Sequence, residues 1–126
     1  MNMINTSVAE STTYDLQAQV IKAFTHPTRL AILDQLRDGE HCVCHLEAHL
    51  GLRQAYISQQ LSVLREAGLI TDRRDGWNIF YRVADERIFQ VLDTLRLIAG
   101  IPDWEPQPAN PDCPCPKCAS QKCSCK

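Results

Sequence analysis

The sequence predicts a mainly α-helical fold with one small β-hairpin. Three observations predict it. Apolar residues recur at helical spacing through most of residues 14–99. The period switches once, at residues 69–83, to β-branched and aromatic stretches around Asp75-Gly76. Glycines and a proline punctuate the helical stretches where helices begin and end. The 126 residues are room for one domain with a modest core and some tail. Apolar residues at 44% and charged residues at 22% fit an ordinary globule.

Residues 1–13 are polar, rich in Ser and Thr, and expected to be a flexible N-terminus. From Tyr14 to Phe24, the residues Leu16, Val20, Ala23 and Phe24 give a first helix. Pro27 starts a second, since a first-turn proline gives up an N–H that has no helical partner anyway. Leu30, Leu33 and Leu36 line one face of it, and Gly39 ends it. A short third helix carries Val43, Leu46 and Leu50 inward and stops at Gly51. After the break Gly51–Arg53 a fourth runs from about Gln54 to Ala67, burying Ile57, Leu61 and Leu64, and Gly68 closes it. Leu69–Thr71 and Ile79–Val83 read as a two-stranded hairpin. Helical period returns after Asp85, where Ile88, Val91, Leu92, Leu95 and Ile98 form a continuous apolar seam. Residues 101–126 hold six of the seven prolines among few apolar residues and read as an extended Pro/Cys-rich tail. The third and fourth helices make a helix-turn-helix and the hairpin its wing, so residues 14–100 are a winged helix-turn-helix domain.

The polar residues of the fourth helix point to a partner. Gln54, Tyr56, Ser58, Gln59, Gln60 and Ser62 remain once the core positions are removed. Amides make paired hydrogen bonds to adenine edges in a major groove, and serine can bond several base edges. The wing adds Arg73, Arg74 and Arg82, suited to phosphates or a minor groove. The formal charge of −2 excludes a histone-like basic coat, but the charge is uneven. From Arg53 to Arg82 five arginines face three acids, a net of +2, whereas residues 1–52 hold three basic and six acidic residues, a net of −3. Double-stranded DNA is the expected partner, against the plainer alternative of a merely solvated helix face. No apolar run approaches the ~18–20 residues that cross a bilayer, and no basic-apolar leader opens the sequence. The expectation is a cytoplasmic protein with no membrane partner.

Seven cysteines fall in two groups, Cys42 with Cys44, and Cys113, Cys115, Cys118, Cys123 and Cys125 in the tail. An odd number of close-spaced thiols reads as metal ligands or redox switches rather than a disulfide scaffold. On an ideal helix, side chains two residues apart point about 200° from one another. Cys42 and Cys44 are therefore expected to share an ion only if the first turn of the third helix is pulled out of shape, which would re-aim the recognition helix. As(III) or Sb(III) takes three thiolates, and Cd(II), Pb(II) or Zn(II) three or four sulfur or nitrogen donors. The expected ligands are Cys42, Cys44, Cys113, Cys115 and Cys118, with Cys123 and Cys125 behind them. The linker from Gly100 to Cys113 reaches about 40 Å when extended. Alternatives stand beside these assignments. Cys42 could be a buried small apolar residue, and the tail could hold an ion of its own. His41, His45 and His49 form a stripe at i, i+4 and i+8 that is either a solvated face or a Zn(II) site. His26 reads as a helix-start residue, Trp77 and Trp104 as packing residues of wing and linker.

Several ordered motifs resemble the ArsR–SmtB family of winged-helix metal-sensing repressors. They are His26-Pro27-Thr28-Arg29-Leu30-Ala31-Ile32-Leu33, Cys42-Val43-Cys44-His45-Leu46, Leu64-Arg65-Glu66-Ala67-Gly68-Leu69-Ile70 and Tyr81-Arg82. The resemblance spans about residues 14–99. It implies a homodimer joined through the first and last helices, and a repressor that leaves a palindromic operator when its effector binds. As(III) is the favoured effector, with Cd(II), Pb(II) and Zn(II) as alternatives, and no organic cofactor is expected. Cys42–Leu46 is similar to the family's Cys-Val-Cys-Asp-Leu metal box, with His45 for the aspartate and Glu47 where arsenic sensors often carry a third cysteine. The family's other site, on the last helix, needs histidines, and that helix offers only Asp85 and Asp93. Arg53 and Ala55 replace the common Ser and Pro of the recognition helix. The competing functions are a thiol-redox or persulfide-sensing repressor in which Cys42 or Cys44 bonds a tail cysteine, a dithiol enzyme built on Cys115–Cys118, and a metal-storage protein. No enzyme activity is expected, because a catalytic dithiol needs a helix start to lower its pKa.

Overall fold

A capping box opens the described chain, which in this computed structural model covers residues 12–101. Thr12 Oγ1 accepts from the Asp15 amide at 3.1 Å, and the Thr12 amide donates to Asp15 Oδ2 at 2.9 Å, which satisfies donors the first turn leaves open. Helix α1 (Thr13–Ala23) follows, then α2 (Pro27–Gln35), strand β1 (His41–Cys42), α3 (Val43–Leu50), α4 (Gln54–Glu66), β2 (Ile70–Asp75), β3 (Asn78–Val83) and α5 (Arg87–Ile98). The expectations for residues 1–11 and for the tail from residue 102, with its five cysteines and Trp104, lie outside the described residues.

The helix order follows the apolar spacing, and α3 ends where Gly51 turns left-handed at φ 66° and ψ 29°. That conformation costs a side-chain-bearing residue its Cβ clearance, so glycine sets the sharp turn into α4. Ile32 and Leu33 of α2, Leu46 of α3, and Ile57, Leu61 and Leu64 of α4 are fully buried and pack as one cluster. Sequence spacing named these residues except Ile32, which sits between two faces of the α2 pattern.

The sheet corrects one expectation. β2 and β3 form the expected hairpin, but the sheet has a third strand: β1 pairs antiparallel with β3, giving the order β1-β3-β2. His41 lies opposite Tyr81 and Cys42 opposite Phe80. Two residues are too few to show a period of their own, so only the partner strand reveals β1. The strand ties the start of α3 directly to the wing.

The last helix splits its seam. Ile88 and Leu92 are buried, while Val91, Leu95 and Ile98 stay exposed, as do Leu16, Val20 and Ile21 of α1. Between the two helices runs an apolar groove of about 630 Å³, lined by residues that include Val20, Ile21, Phe24, Val91 and Leu95.

Candidate functional site

Cys42 ends β1 with extended backbone, φ −86° and ψ 169°, and is the N-cap of α3; Cys44 sits in the first turn. The two Cα atoms are 5.4 Å apart and the sulfurs are joined as a disulfide. This overturns the expectation that the pair diverges by about 200°, which holds only if both residues are helical. Because Cys42 precedes the helix, its side chain swings to meet Cys44 without disturbing a single turn of α3. Cys42 is 2% exposed, as its inward position required.

The histidine stripe is not a solvated face. His41 and His45 are buried, at 1% and 2% exposure. The rings of His41 and His45 stack at 3.6 Å and 7°, and those of His45 and His49 at 4.2 Å and 24°. His41 Nε2 meets Asp38 Oδ1 at 2.7 Å. Imidazole lone pairs lie in the ring plane, and near-parallel planes 3.6 Å apart do not cross at one ion within the ~2.1 Å of a Zn–N bond. In this arrangement the column is a packing element. Burial, and next the nearby His41, holds His49 below the ordinary imidazole value. Cys42 and Cys44 are the cysteines of the described residues, and no group of three or more His, Cys, Asp or Glu there is set to hold an ion. A three-thiolate ligand set needs a donor from elsewhere.

On α4, Gln54, Gln59 and Ser62 are exposed and Ser58 is half-buried. Two of the candidate reading residues face the protein instead. Gln60 is 7% exposed, and its Oε1 accepts from Arg29 Nε at 2.9 Å. It falls three residues after Ile57 and four before Leu64, on the buried stripe, and that spacing was the available signal. Tyr56 is half-buried, with its hydroxyl 3.2 Å from His26 Nε2 and 3.4 Å from Thr28 Oγ1. His26 caps α2 by accepting the Thr28 amide on Nδ1 at 3.2 Å. Nδ1 is then unprotonated, which leaves Nε2–H to donate to Tyr56. The helix-start role read for His26 stands, and the ring also joins α2 to α4.

The wing arginines divide similarly. Arg73 lies over the Phe80 ring at 5.0 Å and its guanidinium bonds the Glu40 carboxylate, with Nε to Oε2 at 3.2 Å. The Glu40 hydrogen bond holds Arg73 above its ordinary pKa. Nothing in the sequence pattern joined Glu40 to the wing; β1 brings it there. Arg65 of α4 bridges Asp72 of β2 at 3.2 Å, fixing the wing against the helix. Side chains alternate along a strand, so Arg74 leaves β2 on the face that Asp72 turns to α4. Arg74 and Arg82 are exposed.

The site therefore combines a half-exposed polar helix, a turn into it set by Gly51 and a hairpin that carries exposed arginines and is bridged to that helix. Residues 26–72 match the family described as bacterial regulatory protein, arsR family. A biofilm growth-associated repressor of Agrobacterium fabrum is 42% identical over 86 residues, covering 68% of this chain and 74% of that protein. The chain belongs to the ArsR family. Two solved structures resemble this ArsR-family chain throughout the domain. The homodimeric winged helix-turn-helix DNA-binding domain from Mycobacterium bovis aligns with a TM-score of 0.64 and 31% identity, over 77% of this chain and 90% of that one. The transcriptional repressor BigR from Xylella fastidiosa aligns with 0.60 and 36%, over 70% and 96%. Among the described residues of the ArsR-family chain, no helix is long and apolar enough to cross a membrane.

Proposed function

We propose that this chain is a homodimeric transcriptional repressor that holds a palindromic operator through α4 and the wing, and releases it when Cys42 and Cys44 coordinate As(III), Sb(III) or a soft divalent ion. The observation that carries this reading is the meeting of the two sulfurs at the junction of β1 and α3. Reduced, the same pair is a two-thiolate clamp; each thiol gives up its proton as a sulfur–metal bond forms. Cys113, Cys115 or Cys118 would supply the third thiolate, from the same chain or its partner. The homodimeric state of the Mycobacterium bovis domain and the apolar groove between α1 and α5 support the dimer. The repressor names of the Agrobacterium and Xylella proteins support the sign of regulation.

The route from thiols to DNA differs from a distorted α3. Cys42 is a rung of the β1–β3 ladder, and Glu40, two residues before it, holds the wing's Arg73. Ligation that shifts β1 therefore moves the wing strand and the Glu40–Arg73 pair together. Exposed ion pairs add little net stability, so the pair is easily exchanged for an Arg73–phosphate contact.

The test is fluorescence anisotropy of a labelled operator duplex while As(III), Sb(III), Cd(II), Pb(II), Zn(II) and a persulfide donor are titrated in turn. One or more of the soft ions should release the DNA at equimolar site concentration. The double variant C42S/C44S should bind the duplex within about twofold of the wild type, as expected for a change away from the phosphate contacts, and should no longer respond. Induction that survives both serines would remove the thiol site from the mechanism.

The Cys42–Cys44 disulfide favours a second reading, a thiol-redox switch closed within the Cys-Val-Cys segment rather than onto the tail. Two thiols reduce one peroxide to water and are left as the disulfide, so peroxide alone would release the operator and a dithiol reductant would restore it.

A further inference from the structure

We infer that the wing tip inserts Trp77 into the minor groove beside each half-site. The inference rests on the reading of this chain as a duplex-DNA-binding repressor. Asp75 and Asn78 are the last paired residues of the hairpin, leaving Gly76 and Trp77 as a two-residue loop. Gly76 supplies the positive φ, 63°, that such a loop needs. Nothing in that geometry calls for an indole at the second position. Trp77 nonetheless stands 98% exposed, so the wing packing expected from the sequence is not its role, and it adds no packing to the fold.

The surroundings select the partner. Arg74, three residues before Trp77 and on the strand face turned toward α4, is exposed, as is Arg82 opposite Thr71 on the other face, and the Arg65–Asp72 bridge anchors the wing beside the recognition helix. From Asp72 to Asp75 is three residues, about 10 Å of strand, and the two-residue loop carries Trp77 beyond it. With the loop and the indole added, the wing tip extends from a major groove filled by α4 toward the minor groove next to it. A flat apolar ring with one N–H donor, carried beside arginines, suits the sugar-lined walls and acceptor floor of that groove. A lipid surface would meet the ring but not the helix that the wing is braced against.

The test uses the full-length chain with Trp104→Phe, which leaves Trp77 as its sole tryptophan. The probe is a set of 30-bp duplexes recovered by the wild-type chain from a random-sequence pool. Adding a recovered duplex should shield Trp77 from acrylamide, and netropsin, which occupies A·T minor grooves, should restore its accessibility. W77A should bind about tenfold more weakly, in line with the loss of one base-stacking aromatic, while W77F recovers most of the affinity and both keep the wild-type far-ultraviolet spectrum. A chain that holds the duplex while Trp77 stays open to acrylamide and W77A binds undiminished would overturn the wedge and leave the repressor reading intact. Shielding produced by raising protein concentration alone, or by anionic vesicles in place of duplex, would also overturn it. Recovery of no duplex at all would overturn both.

Discussion

Helices α4 and α5 carry apolar residues at the same spacing and spend them differently. Ile57, Leu61 and Leu64 of α4 are each fully buried within the chain. On α5 Ile88 and Leu92 are buried and Phe89 packs against the core, while Val91, Leu95 and Ile98 form a second stripe, exposed like Val20 and Ile21 of α1. Among the described residues no element covers that stripe, whereas a second copy presenting the same stripe would. In the proposed dimer one amphipathic pattern serves both a core and a mating face, and substitutions on the two helices should fail in different ways.

The largest effect belongs to the core. Leu61→Ala removes a fully buried side chain that α2, α3 and α4 share, at a cost of about 2–5 kcal/mol. Thermal and denaturant unfolding should show it in full, and operator binding should fail through loss of the folded domain. A Leu61→Ala protein with an unchanged midpoint would mean that the cluster is not the core.

Next comes the mating face. Leu95→Glu places a charge on the groove between α1 and α5 while leaving Ile88 and Leu92 in place. Sedimentation should find dimers for the wild type and monomers for this variant, with the unfolding of the domain itself little changed at matched low concentration. Losing the second half-site should weaken operator binding about a hundredfold, the usual scale of avidity. A dimeric Leu95→Glu chain would move the interface elsewhere.

The same comparison explains what the sequence could and could not tell. Periodicity located every helix, because burial and period express one physical fact, although α2 stops at Gln35, short of the Gly39 expected to end it. It merged the two stripes of α5 into one seam, since spacing marks apolarity and not the identity of the covering surface. It missed β1, which exists only as a partner of Phe80 and Tyr81. That omission propagated: with Cys42 assigned to a helix, the thiols diverged on paper, and Glu40 had no path to Arg73. Polar positions were read least well. Gln60 and Tyr56 look like reading residues by type, yet their partners Arg29 and His26 lie about thirty residues away in sequence, and no local signal joins them.

The smallest effect concerns how each helix starts. Arg53, the N-cap of α4, makes no side-chain capping bond, and the buried face holds that helix without one. Helix α5, with fewer buried residues, is started by Asp85, whose Oδ1 accepts the Arg87 amide at 2.9 Å while its carboxylate pairs with the Arg87 guanidinium. The Arg87 side-chain hydrogen bond, then the backbone one, lowers the Asp85 pKa from 3.8 to about 2. A carboxylate lowered by folding stabilises the native state above its unfolded pKa, and that contribution fades as pH falls from about 4 toward 2. Asp85→Asn keeps an acceptor but loses the charge. Its denaturant midpoint should lie slightly below the wild type from pH 4 to 7, and the two should converge as pH drops toward 2. Because the group is on the surface, salt should narrow the gap as well. A difference that ignores both pH and salt would assign the start of α5 to hydrogen-bond geometry alone, and would leave its helix–dipole and ion-pair electrostatics with no part in holding the mating face in place.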